Sequence, residues 1–103
     1  MVQLLVLYNP PTDPDAFDRY YYATHVPIAK RLPGLRDYAV SATPVTDLQG
    51  ARAPYHLIAT LTFDSLDAVQ HALGSPEGAA TAGDLPNFAS GGVSIYVYET
   101  KSV

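Results

Sequence analysis

The chain has 103 residues, which is long enough for one compact domain and too short for two independent cores. Its formal net charge is -4 with only six lysine and arginine residues, which argues against nucleic acid as a partner, because phosphate backbones are bound by clusters of basic side chains. The absence of cysteine excludes disulfides, thiolate nucleophiles and iron–sulfur clusters. We therefore expect residues 1–103 to form a single domain.

The first half of the chain predicts a strand, a long helix and a second strand. Val2–Tyr8 is short, apolar and closed by prolines, as is typical of a strand followed by a turn. Asp13 is suited to cap a helix that runs from Pro14 to about Lys30, and Leu35–Pro44 is predicted as the next strand. At 100° per residue one stripe of this helix faces the core. The stripe contains Phe17, Tyr21, Thr24, Ile28 and Leu32.

The second half predicts two further strands around a second helical region. Period-two alternation indicates the strands, and Asp64 or Ser65 is suited to cap the helix, which ends near Gly74. Leu66, Val69 and Leu73 are expected on the buried face of that helix. The predicted elements are a strand over Tyr55–Phe63, this helix, one or two weak helical turns over 75–83, a loop over 84–92 and a strand over Val93–Glu99.

The order strand, helix, strand, strand, helix, strand predicts a ferredoxin-like α+β sandwich with a four-stranded antiparallel sheet. Both helices then cover one face of the sheet. A content of 48% hydrophobic and 16% charged residues is apolar for so small a domain, so we expect the other face to pack against a second copy as a homodimeric α+β barrel. That face is predicted to hold Gln3, Leu5, Leu7, His56, Ile58, Thr60, Thr62, Ser94, Tyr96 and Tyr98.

Several chemistries are disfavoured by the side chains that the sequence supplies. The three histidines are scattered, with no pair at the i, i+4 spacing that aligns two ligands on a helix, so no metal site is predicted. Gly91 and Gly92 precede a strand rather than a helix, which argues against a nucleotide cofactor, and no serine lies in an elbow motif. The N-terminal apolar run is far too short to span a membrane, and we expect a cytoplasmic protein without a cofactor.

General acid–base chemistry by a histidine is the remaining possibility. His25 lies at the border of the predicted buried face, and Pro27 must bend or interrupt the helix beside it because proline has no N–H to donate. Tyr8, Tyr20 and Tyr21 are close enough in the predicted fold to donate hydrogen bonds to a developing oxyanion. The alternative is a structural histidine bonded to a carbonyl that Pro27 leaves free.

The runs "LYNPPTDPDAFDRYYYATHVPIAKRLPGLRDY", "SPEG" and "DLPNFASGG" resemble the EthD family of small dimeric α+β barrel proteins. The resemblance covers nearly the whole chain, and it identifies His25 as the family's signature histidine. It also implies that Asp84 and Phe88 lie in a loop that closes one side of a cavity. Proteins of this family and its barrel relatives include cofactor-free oxygenases, cyclases and lactone isomerases, so the resemblance implies an oxidoreductase or a cyclase/isomerase.

We therefore expect a small apolar or aromatic molecule to bind between the sheet and the helices. His25 is the predicted acid or base, and Tyr8 and Tyr21 are the predicted partners of a substrate oxygen. The remaining residues predicted to contact the substrate are Phe17, Tyr20, Ile28, Phe63, Asp84 and Phe88. The alternative function is a non-catalytic binding or accessory protein that uses the same cavity in a degradation or biosynthetic pathway.

Overall fold

A computed structural model describes all residues, 1–103. The sheet has the strand order β2-β3-β1-β4 and is antiparallel throughout, which confirms the predicted ferredoxin-like α+β fold. Its strands are β1 (Val2–Tyr8), β2 (Asp37–Val40), β3 (Leu57–Phe63) and β4 (Val93–Glu99). The helices are α1 (Pro14–Tyr20), α2 (Val26–Ala29), α3 (Leu66–Leu73) and α4 (Pro76–Asp84), and none of them is long and apolar enough to cross a membrane.

The long helix predicted after β1 is continuous but changes its geometry. A π-helical turn, Tyr21–His25, joins α1 to α2, and the Val26 N–H bonds to the Tyr21 carbonyl five residues back. This shift in hydrogen-bond register comes just before Pro27, the residue that has no N–H to donate. A π-helical turn holds more residues than the 3.6 of a regular α-helical turn. His25 is therefore buried in the core rather than placed on the flank that a regular helical wheel predicts.

The core lies between the sheet and the helices. Alternate residues of the two central strands face the helices and are buried, while the residues between them on the other face are only half-buried in the single chain. Tyr96 and Tyr98 of the edge strand β4 are 58% and 46% exposed on that second face. The buried strand residues are Val2, Leu4, Val6, Tyr8, Leu57, Ala59, Leu61 and Phe63.

Three details differ from the sequence predictions. Strand β2 is only four residues long, because it is an edge strand whose chain turns away after Ser41. On α3, Val69 and Ala72 are buried, whereas Leu66 and Leu73 are exposed. Ser75 caps α4, which extends to Asp84, so the segment expected to be a loop begins with the last residue of a helix.

Candidate functional site

A cavity of about 320 Å³ lies between the sheet and the helices. No lysine, arginine, aspartate or glutamate side chain lines it, and its polar side chains are those of Tyr8, His25, Tyr38 and Thr81. The cavity can therefore accept a small uncharged molecule with one or two polar groups. The other lining residues are Leu4, Val6, Ala29, Leu32, Ala59, Leu61, Leu73, Gly78, Ala82, Leu85 and Ile95.

His25 is held at the wall of this cavity by a carboxylate. His25 is 3% exposed, and its Nδ1 lies 2.9 Å from Asp84 Oδ2. The partner of the histidine is thus a side chain from the end of α4, 59 residues away in sequence, rather than the free carbonyl considered as the alternative. This contact joins the π-helical turn to α4.

Asp84 is ionised and oriented by further hydrogen bonds. Its Oδ1 accepts from the Tyr20 hydroxyl at 2.5 Å and from the Asn87 Nδ2 at 3.0 Å. Burial alone would raise the pKa of Asp84, but the hydrogen bonds from Tyr20, Asn87 and His25 outweigh burial and hold the pKa below its ordinary value. An ionised Asp84 accepts a hydrogen bond from His25, so the imidazole proton lies on Nδ1.

The other imidazole nitrogen of His25 is free to act as a base. No group of the chain is hydrogen-bonded to Nε2, and no side-chain nitrogen or oxygen that is shut away from solvent lacks a partner. Because His25 lines the cavity, its Nε2 lone pair is directed to the cavity space. Burial lowers the pKa of His25 despite the opposing effect of Asp84, so the imidazole is neutral at pH 7.

The pKa of His25 predicts how stability depends on pH. The folded chain has a His25 pKa below 6.5, the ordinary value that the unfolded chain keeps. Unfolded chains therefore bind a proton first as the pH falls below about 6.5, and the native state loses stability there. Urea unfolding at pH 7.5 and pH 5.5 should show a smaller pH-dependent loss of stability for His25→Gln than for the unmodified chain. An equal loss in both proteins would contradict the lowered pKa.

Three tyrosines supply hydroxyl groups at or beside the cavity. Tyr8 is 2% exposed, its hydroxyl has no partner in the chain, and by the argument used for His25 this hydroxyl is open to the cavity. The hydroxyls of Tyr21 and Tyr38 lie 2.5 Å apart, and Tyr38 lines the cavity while Tyr21 stands behind it. Burial raises the pKa of all three phenols, so they are neutral hydrogen-bond donors.

Most residues predicted as the substrate wall lie elsewhere. Of the predicted site residues only His25 and Tyr8 line the cavity. Asp84 and Tyr21 are each hydrogen-bonded to a lining residue, Asp84 to His25 and Tyr21 to Tyr38. Tyr20 is hydrogen-bonded to Asp84. Phe17, Ile28, Phe63 and Phe88, which were predicted to form the wall, do not line this cavity.

An aromatic cluster behind the cavity explains two of these positions. The rings of Phe17 and Phe88 pack against Tyr8 with centroids 5.3 and 5.6 Å away, and Phe88 lies 4.6 Å from the His25 ring. The two phenylalanines therefore support Tyr8 and His25 from outside the cavity. Ile28 lines a separate depression on the surface, and Phe63 is fully buried in the core beyond Leu61.

Sequence reasoning missed Tyr38. It comes from the edge strand β2, pairs with Leu61 and lines the cavity. Alternation along β2 was the only available signal, because nothing in the sequence links Tyr38 to Tyr21, 17 residues away.

His56 does not lie on the free face of the sheet as predicted. It precedes β3, and its Nε2 is 2.8 Å from Asp18 Oδ1 of α1. The alternation of a strand does not apply before the strand begins, so the side chain is free to reach the helix. No three histidine, cysteine, aspartate or glutamate side chains are grouped so that they can hold a metal ion.

The fold and the site together define a small ferredoxin-like α+β protein with a histidine-carboxylate pair beside an apolar cavity. A model described as the EthD domain matches residues 9–92. An uncharacterized 11.0 kDa protein in the thcB-thcC intergenic region of Rhodococcus erythropolis is 36% identical over 103 residues, which are 100% of this chain and 98% of that protein. The chain belongs to the EthD family, as the sequence resemblance predicted.

Solved structures agree with this assignment. An EthD family protein from Bacillus halodurans has 33% identity and a TM-score of 0.88, with 98% of this chain and 99% of that chain covered. SnoaB, a cofactor-independent oxygenase from Streptomyces nogalater solved as a mutant, shares the fold at 15% identity and a TM-score of 0.67, covering 99% and 94%. A dimeric ferredoxin-like protein from Thermobifida fusca shares it at 15% identity and a TM-score of 0.70, covering 96% and 90%.

Proposed function

We propose that this protein binds a small neutral aromatic or enolisable molecule in the cavity and transforms it by acid–base chemistry without a cofactor. The observation that carries the proposal is the free Nε2 of a neutral, buried His25 whose Nδ1 is bonded to an ionised Asp84. A histidine in this state is a general base with a fixed tautomer. The other polar side chains that line the cavity are the hydroxyls of Tyr8, Tyr38 and Thr81.

The chemistry follows from the positions of the polar atoms. His25 Nε2 removes a proton from a phenol O–H or from a C–H next to a carbonyl, and Asp84 stabilises the imidazolium that forms. The neutral hydroxyls of Tyr8 and Tyr38 donate hydrogen bonds to the oxygen on which negative charge develops. These three groups approach a bound molecule in a cavity from which charged side chains are absent.

Two reaction types use such an anion. If it is an electron-rich phenolate, the substrate itself supplies the electrons for a direct reaction with dioxygen, in line with the fold shared with a cofactor-independent oxygenase. If it is an enolate, the same residues serve isomerisation or cyclisation. Of these two reaction types we favour the oxidation of a phenolate, which would make the protein an oxidoreductase. The cytoplasmic location remains a prediction.

The proposal includes a homodimer formed through the second face of the sheet. Tyr96 and Tyr98 are large and exposed there, and half-buried aliphatic residues of the central strands lie beside them. Burial of this surface against the same surface of a second copy satisfies two-fold symmetry. A dimeric protein with the same fold supports the arrangement.

A ligand screen tests the proposal directly. Neutral naphthols and enolisable ketones should raise the melting temperature, whereas naphthoates of the same size should not, because no cationic side chain lines the cavity. An oxygen electrode and mass spectrometry of the same mixtures detect turnover.

A bulky residue in the cavity provides the matched control. Ala82→Phe should abolish the thermal shift, since Ala82 lines the cavity, and Ala79→Phe, an exposed site on α4 outside the cavity lining, should retain it. Equal shifts in the two variants would mean that the ligand binds elsewhere.

A further inference from the structure

The loop between β2 and β3 carries a small hairpin that presents an apolar side chain to solvent. Thr46 and Arg52 form a β-bridge, and Asp47 Oδ1 accepts hydrogen bonds from the N–H groups of Gln49 at 2.9 Å and Ala51 at 3.0 Å. Gly50 closes the turn with a φ of +88°, a conformation that glycine adopts without strain. Leu48, at the tip of this hairpin, is 100% exposed. A leucine held outside the molecule by an ordered turn is prepared for contact without further loss of chain entropy.

The cavity is open to solvent beside strand β4 and the end of α3, where the chain leaves apolar residues uncovered. Ile95 of β4 and Leu73 of α3 both line the cavity, yet they are 47% and 48% exposed. Val97, two residues beyond Ile95 on the same face of β4, is 41% exposed. Ile95 and Leu73 therefore form the mouth of the cavity, and Val97 adds exposed apolar surface beside it.

The hairpin of the same chain does not cover this mouth, since its Leu48 is fully exposed. Strands β2 and β4 are the opposite edges of the sheet, separated by three strand spacings or about 14 Å. A second copy related by a two-fold axis parallel to the strands brings its β2 edge beside β4.

The register across the sheet sets the level of the contact. Val40, after which the chain leaves β2 for the hairpin, pairs with Ala59, Ala59 with Val6, and Val6 with Ile95. The partner's hairpin therefore leaves its own sheet at the level of Ile95, because an axis parallel to the strands preserves that level.

We propose that the two-fold axis of the homodimer runs parallel to the strands, and that the hairpin of each copy passes around the partner's β4 edge so that Leu48 covers the mouth of the partner's cavity, in contact with Ile95 and Leu73. Each site is then completed by the other chain, and its ligand is enclosed on the side where the single chain leaves it open. This inference rests on the homodimer of the proposed function. It adds a residue from the partner to the site.

Disulfide formation tests the contact, since the chain has no cysteine of its own. Leu48→Cys combined with Ile95→Cys should give a covalent dimer with two bridges under mild oxidation, because a disulfide requires Cα atoms within about 7 Å. Non-reducing electrophoresis detects the bridges. Leu48→Cys with Leu66→Cys is the matched control, since Leu66 is similarly exposed but lies beyond the far end of β3, and it should not give a covalent dimer.

Light scattering of the reduced proteins separates the possible failures. A dimer that fails to cross-link through Ile95, or that cross-links equally through Leu66, overturns the hairpin contact and leaves the homodimer standing. A monomer at micromolar concentration overturns both. Covalent chains longer than a dimer would contradict the two-fold arrangement.

Discussion

Replacement of His25 with glutamine is expected to lower kcat about 10²- to 10⁴-fold, the usual contribution of a general base. Glutamine is close in length to histidine, and its amide can still donate to Asp84. It has no group that accepts a proton at neutral pH, so deprotonation of the substrate is lost while the cavity keeps its shape. The affinity for a neutral naphthol, measured by thermal shift or calorimetry, should therefore change only a few-fold.

His71→Gln is the control for this substitution. His71 is exposed on α3 and lines none of the cavity, so the same chemical change there should leave both turnover and binding intact. If His25→Gln retains both, His25 is not a catalytic residue and the proposed acid–base mechanism is contradicted. If His25→Gln retains binding and loses turnover, the binding-only function is contradicted.

The fold was predictable because its signals are local. The short apolar run of β1, the period-two alternation in β3 and β4, and caps at Asp13, Ser65 and Ser75 identify most of the elements within a residue or two. The predicted β2 was too long because the chain turns away from the sheet after Ser41, although its partner β3 extends to Leu57.

The candidate site was only partly predictable because its contacts are long-range. His25 stands out through its place beside Pro27, but the carboxylate that fixes its tautomer was reached only through the family resemblance. Nothing in the spacing of residues pairs His25 with Asp84. Phe17 and Phe88 contact Tyr8 and His25 without lining the cavity. A helical wheel gives Phe17 a direction and not a depth, and Phe88 was reached only through the family resemblance.

The largest effect on stability is expected at Gly78 in α4. A Cβ at this position would lie 2.3 Å from the Ala72 carbonyl oxygen and 2.6 Å from that of Leu73. These are backbone atoms, which cannot turn aside as the end of a flexible side chain can. Gly78→Ala should therefore lower the free energy of unfolding by about 1–3 kcal/mol or more, the range found for overpacked cores. Urea denaturation measures this difference.

Gly83→Ala in the same helix is the matched control, because a Cβ there meets nothing within 4 Å. It should raise stability by about 0.4–1 kcal/mol, since alanine loses less backbone freedom on folding. Gly78→Ala also acts on the site, because α4 must move away from α3 and it carries Asp84 at its end. The variant should lose turnover even under conditions in which it stays folded. Equal stability of the two variants would contradict the close packing of α4 on α3, and with it the rigid support that we assign to Asp84.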